Sequence, residues 1–144
     1  MRSTKIVTSF IQDDQKLLIL RRSDKVKTMK GLWAGISGII EKNEIPLTRA
    51  KIEIYEETGI SEDKIRFIKA AEKLRVNSPQ YENHEWEIFP FLFEAKSPDV
   101  KLNWENSEYT WITIDELKTM TQFLVLKKYY KICCDFSSFS YFLC

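Results

Sequence analysis

Between Pro46 and Gly59 the chain is bounded at both ends by residues that dictate its backbone. Proline suits the first turn of a helix, where its missing N–H costs nothing. Glycine suits the position just past the last turn, where a left-handed backbone is wanted. At about 100° per residue, Leu47, Ala50 and Ile54 share one narrow apolar stripe. That stripe docks the helix on a sheet, and the rest of the chain must supply the strands.

It does. KIVTSFI (5–11) and KLLILR (16–21) are apolar, partly β-branched runs around the turn-like QDDQ, which predicts a hairpin. LWAGISGII (32–40) is strand-like, with bends or close backbone approach expected at Gly35 and Gly38. Residues 64–76 read as strand better than helix. HEWEIFPFLFEA (84–95) is a long aromatic strand whose Pro90 marks an edge or a bulge. EYTWITI (108–114) is a further strand; a helix opens at Asp115 and another covers 123–134. The order predicts an α/β fold, a mixed sheet covered by helices. With 144 residues, 44% of them hydrophobic and 30% charged, one domain over 1–144 is expected.

Composition narrows the function. A net charge of +1 gives no global field for nucleic acid or membrane binding. No run approaches the roughly 18 apolar residues of a membrane span, and MRSTKIVTSFIQ does not read as a signal peptide. Cys133, Cys134 and Cys144 with the single His84 make neither a disulfide framework nor a closed zinc site. Reduced thiols and a cytoplasmic location are the expectation.

The helix carries a conflict. Glu53, Glu56 and Glu57 fall within about 100° of one another on the face beside the apolar stripe. Like charges at these spacings repel, and the helix dipole disfavours anions near its C-terminus. A divalent cation reverses the sign of each effect, because magnesium seeks carboxylate oxygens and bridges them to phosphates. Taken alone, the same three residues also read as a solvated helix face.

The upstream sequence decides between these readings. From Gly38 the chain runs GIIEKNEIPLTRAKIEIYEETGI, which resembles the Nudix box: G, five residues, E, seven residues, R-E-U, one residue, E-E, one residue, G-U, with U a bulky aliphatic. Gly38, Glu44, Glu53, Ile54, Glu56, Glu57, Gly59 and Ile60 fall in register. The flanks agree, and the resemblance fades after about Lys131, leaving the tail from about 132 outside it. One departure is clear: Ile52 stands where the pattern has arginine. Arg49, one turn before Glu53 on the same face, is the candidate replacement. Asn43 stands where glycine is common, and asparagine tolerates the left-handed region.

The resemblance implies a Nudix-type α/β/α sandwich and Mg²⁺- or Mn²⁺-dependent hydrolysis of a nucleoside diphosphate linked to another moiety X. It implies Glu53, Glu56, Glu57 and the Ser37 carbonyl as metal ligands, with Glu53 and Glu57 catalytic. Glu53 is the first choice to orient or deprotonate water, with Glu105 or Glu108 as an alternative base near the last strand. Glu44 and Arg49 are expected to support the loop and the glutamates. In the basic loop RRSDKVKTMK, Arg22 rather than Arg21 is expected to face phosphate, together with Lys30. Trp33, Trp86 and Phe91 suit either base stacking or the core, and His84 either a substrate contact or a half-exposed strand start. The expected partner is a small nucleotide, not a membrane and not long RNA. The aromatic tail DFSSFSYFLC suits either internal packing or a homodimer. A Nudix-fold binding or sensing module without efficient turnover is the competing reading, and Ile52 favours it.

Overall fold

The structure, a computed structural model, describes residues 2–27, 29–77, 82–113 and 115–116. Strands β1 (Arg2–Asp13) and β2 (Lys16–Arg22) are joined through Asp14 and Gln15, both at positive φ (46° and 69°). That is the backbone a two-residue hairpin needs to match the twist of its strands. Strands β3 (Trp33–Ala34) and β4 (Ile36–Ile39) precede helix α1 (Pro46–Thr58). A short 3-10 turn (Glu62–Lys64) leads into β5 (Arg66–Ala70), β6 (Leu74–Asn77), β7 (His84–Glu94) and β8 (Asn106–Ile112).

The eight strands form one mixed sheet ordered β3-β2-β1-β7-β5, with β4 on β1, β6 on β7 and β8 on β2. Strand β1 runs parallel to β7 from Arg2–His84 to Gln12–Glu94. Its other side is divided. Gln12 and Asp13 pair with β2, while Ile6 to Ser9 pair with β4. The hairpin therefore splays as it leaves its turn, and the β3–β4 segment fills the gap. Gly35 is the hinge between those two strands: a Cβ there would lie 3.0 Å from the Ser9 carbonyl and 3.1 Å from the Phe10 ring.

Helix α1 packs on β4, β1 and β7. Ala50 and Ile54 are fully buried, Leu47 partly, in a core with Val7, Ile11, Ile36 and Phe93. Full burial of a side chain the size of Ile54 contributes about 1.5–3 kcal/mol. Gly59 takes the left-handed backbone (φ 75°) and donates its N–H to the Tyr55 carbonyl at 2.9 Å. Thr58 closes the same end, its hydroxyl donating to the Ile54 carbonyl at 2.6 Å. Ile45 precedes the helix with no side-chain cap.

The α/β Nudix-type architecture expected from sequence is the one observed. Residues 64–76 form two strands, β5 and β6, rather than one, and 32–40 is cut in two at Gly35. Of the edge or bulge expected at Pro90, the edge fails and the bulge-like irregularity holds: between Ala70–Phe91 and Leu74–Ile88, residues 71–73 stand against Phe89 and Pro90. β7 lies inside the sheet, and Pro90 sits where its outer partner changes from β6 (Leu74–Asn77) to β5 (Arg66–Ala70). Its carbonyl accepts the Ala71 N–H at 3.1 Å on that side, so its missing donor falls in the gap between two partners. Asp115 and Glu116 are helical, with Thr113 and Glu116 exchanging hydrogen bonds as a capping box. The helix expected at 123–134, the three cysteines and the aromatic tail lie outside the described residues.

Candidate active site

Helix α1 turns Glu53 and Glu57 inward. Glu53 is 9% exposed and Glu57 is 2% exposed, whereas Glu56 lies open to solvent. The three share an arc, but only its inner edge meets the protein. Gly38 lies directly beneath Glu53: a Cβ at that position would overlap the Glu53 Cγ and carboxylate. The absence of a side chain on β4 is thus what admits a carboxylate between helix and sheet.

Arg49 joins this carboxylate to the preceding loop. Its guanidinium is bidentate on Glu44, Nε to Oε1 at 2.9 Å and Nη2 to Oε2 at 2.7 Å, and Nη1 donates to Glu53 Oε1 at 3.2 Å. Glu44 Oε1 also accepts the Glu41 N–H, which ties the turn that holds Asn43 at φ 68°. Arg49 lowers the Glu44 carboxyl from its ordinary value, chiefly through its hydrogen bonds. Its pairing with Glu53 is the contact that helix arithmetic anticipates at i, i+4.

The electrostatics around the inner pair are unfavourable. Burial, then the neighbouring Glu56 charge, push Glu53 up to about 7, against the pull of Arg49. Glu57 is also raised well above its ordinary value, by burial first and by Glu105 and Glu53, while Asn106 and Arg22 oppose the shift. Glu57 Oε1 accepts from Asn106 Nδ2 at 2.9 Å. Its Oε2 is buried with no partner. An orphaned carboxylate oxygen beside a second buried carboxylate fits a divalent cation. The Ser37 carbonyl does not face β1. Ile40 N–H bonds to the Lys5 carbonyl at 2.9 Å, and bonded pairs alternate along an antiparallel ladder. Ser37 and Thr8 are consequently a non-bonded pair, their hydroxyls 3.1 Å apart, and the Ser37 carbonyl turns away from β1. Among the described residues no three Asp, Glu, His or Cys side chains form a closed metal cage. Two protein carboxylates plus phosphate and water oxygens suit Mg²⁺ without one.

The remaining candidates separate. Arg22 acts on the Glu57 charge, while Arg21 is exposed and pairs with Glu108 at 2.8 Å. Glu105 lies within electrostatic reach of both Glu53 and Glu57. Glu108 is instead held by Arg21. Lys30 is exposed and makes no ion pair among the described residues. Phe91 belongs to the core, stacked edge-on with Phe67. Trp86 packs against His84, whose Nε2 bonds the Thr4 hydroxyl at 2.9 Å. Trp33 is half-buried opposite Arg21. Two residues of the site had no sequence signal. Asn106 is one. Ser23 is the other: its hydroxyl donates to the Trp104 carbonyl at 2.7 Å and its N–H to the Glu105 carbonyl at 2.8 Å, tying the basic loop to the acidic one. A cavity of about 770 Å³ lies beyond the helix C-terminus, between Gly59–Arg66 and Glu94–Lys101, and none of the candidate residues lines it.

A family model described as NUDIX domain matches residues 2–131, with the glutamate helix and its flanking sheet inside the match. The chain belongs to the NUDIX domain family. Among proteins similar to this Nudix chain is a MutT-like protein from Streptomyces ambofaciens, 27% identical over 119 residues, which span 81% of this chain and 68% of that one. Among solved structures, a MutT protein from Methanosarcina mazei Go1 superposes with a TM-score of 0.73 at 22% identity over 90% of each chain. An Ap4A hydrolase from C. elegans superposes with a TM-score of 0.68 at 19% identity, covering 92% of this chain and 99% of that one.

Proposed function

We propose that this Nudix pyrophosphohydrolase uses Mg²⁺ or Mn²⁺ to cleave the pyrophosphate bond of a small nucleotide derivative, a nucleoside diphosphate linked to X, giving a nucleoside monophosphate and phospho-X. The observation that carries the reading is the pair of buried carboxylates, Glu53 and Glu57, with one oxygen of Glu57 buried and unpartnered. A divalent cation, when bound, neutralises the pyrophosphate oxygens and makes water more acidic.

Glu53, Glu57 and the Ser37 carbonyl hold the cation, and Glu56 adds a carboxylate at the solvent rim. Glu53 accepts the proton of the attacking water. Glu105 is the second candidate for that step, being the loop carboxylate nearest in effect to both buried glutamates. Arg22 meets a phosphate oxygen with its planar fork, and Lys30 adds charge at the loop rim. Arg49 and Glu44 keep Glu53 in place. No described helix is long and apolar enough to cross a membrane. A cytoplasmic setting suits an odd number of cysteines, three, of which two are adjacent. The near-neutral charge suits small nucleotides over long RNA.

The test is a panel of nucleoside triphosphates, nucleotide sugars and dinucleoside polyphosphates with Mg²⁺ or Mn²⁺, run beside a Glu57→Gln variant. Turnover by the wild type and its loss in the variant are expected. Ile52 favours a second reading, nucleotide binding without turnover. Retained binding with no hydrolysis of any panel member would establish that one.

A further inference from the structure

We propose that Asn106 is a positioning residue of the metal site: its amide holds one oxygen of Glu57 and thereby directs the other, unpartnered oxygen at the cation. The inference rests on the metal-site reading above. Both side chains are buried, Asn106 at 6% and Glu57 at 2% exposure, and their contact is 2.9 Å. The amide nitrogen only donates, so it engages Oε1 as an acceptor and leaves Oε2 free to bind.

The backbone is built to deliver this amide. Along the β2–β8 ladder Arg21 faces Glu108, and the register then shifts so that Arg22 faces Asn106. Residues directly opposite in an antiparallel pair share a face. An unbroken ladder would set Ser107 against Arg22, but Ser107 is exposed and Asn106 takes the inward place. One extra residue in a strand re-aims a side chain, as bulges beside sites do. The same slip leaves Arg22 and Asn106 together on the Glu57 side, one supplying charge and the other geometry. A partner that orients a metal ligand typically accounts for about 10–100-fold in metal affinity.

The experiment is a Mn²⁺ titration followed by electron paramagnetic resonance on four full-length chains: wild type, Asn106→Ala, Glu57→Gln and the double variant. Unfolding curves in chelator check that each is folded. Asn106→Ala is expected to weaken Mn²⁺ binding by about 10–100-fold. In the Glu57→Gln background the same change is expected to cost less than about 2-fold, because residues acting through one contact are coupled. If Asn106→Ala does not fold, Asn106→Ser replaces it, since serine stays polar but is too short to reach Glu57. Full Mn²⁺ affinity in the Asn106 variant, or an equal loss with and without Glu57, overturns the proposal. Wild-type binding that is indifferent to Glu57→Gln overturns the metal-site reading, and the proposal with it.

Discussion

Glu53 is a carboxylate kept where its charge is unwelcome. Burial raises it from an ordinary value of 4.5 to about 7. Between those values the folded chain holds a proton that the unfolded chain has released, so the metal-free protein loses stability as pH rises from about 4.5 to about 7. Urea unfolding in chelator across that range should show the decline, and Glu53→Gln should make it shallower while leaving the share that Glu57 contributes. Arg49 limits the penalty by reaching both Glu44 and Glu53. Arg49→Ala is expected to reduce turnover and Mn²⁺ affinity by about 10–100-fold, the usual cost of losing a ligand's orienting partner; unchanged kinetics would reject the role. This contact was legible in the sequence, because residues four apart on a helix must be neighbours. The Glu57–Asn106 contact was not: it joins residues 49 apart and depends on a register slip that composition does not encode.

At the scale of elements, α1 and β4 form one device. The helix was readable in outline because both its stops are local, Pro46 by its ring and Gly59 by its left-handed backbone. Its burial was not, since helical arithmetic places three glutamates on one arc and only packing shows which two turn inward. Gly38 decides that packing. Gly38→Ala puts a methyl group where the Glu53 side chain lies, and even its Cγ must move. The expected result is a loss of about 1–3 kcal/mol in urea unfolding, together with weaker Mn²⁺ binding, as overpacking would produce. Pro90 shows the limit of local rules. A missing donor was a sound signal, but the two strands that share one side of β7 create an internal gap that satisfies it.

At the scale of the molecule, the sheet is organised around the parallel pairing of β1 and β7, whose partners lie 82 residues apart, as Arg2 with His84. No hydropathy pattern announces such a pairing, because most of the other elements lie between its two strands in the chain. The fold class was nonetheless visible, since strands on both sides of one amphipathic helix leave few alternatives. A cation that binds only the folded chain should stabilise the whole of it. At 100 times its dissociation constant Mg²⁺ contributes about 2.7 kcal/mol, roughly 5–10 °C in melting temperature for a domain of this size. The shift should be larger at pH 8 than at pH 5, where protons compete for Glu53 and Glu57. Calorimetry at the two pH values checks both the size and the order.

The bidentate hold of Arg49 on Glu44 also bears on position 52. The Glu44 carboxylate fixes the plane of the guanidinium and leaves only Nη1 turned toward Glu53. The positive charge therefore reaches Glu53 from one turn earlier in the helix than the Nudix pattern sends it, while Ile52 lies half-buried.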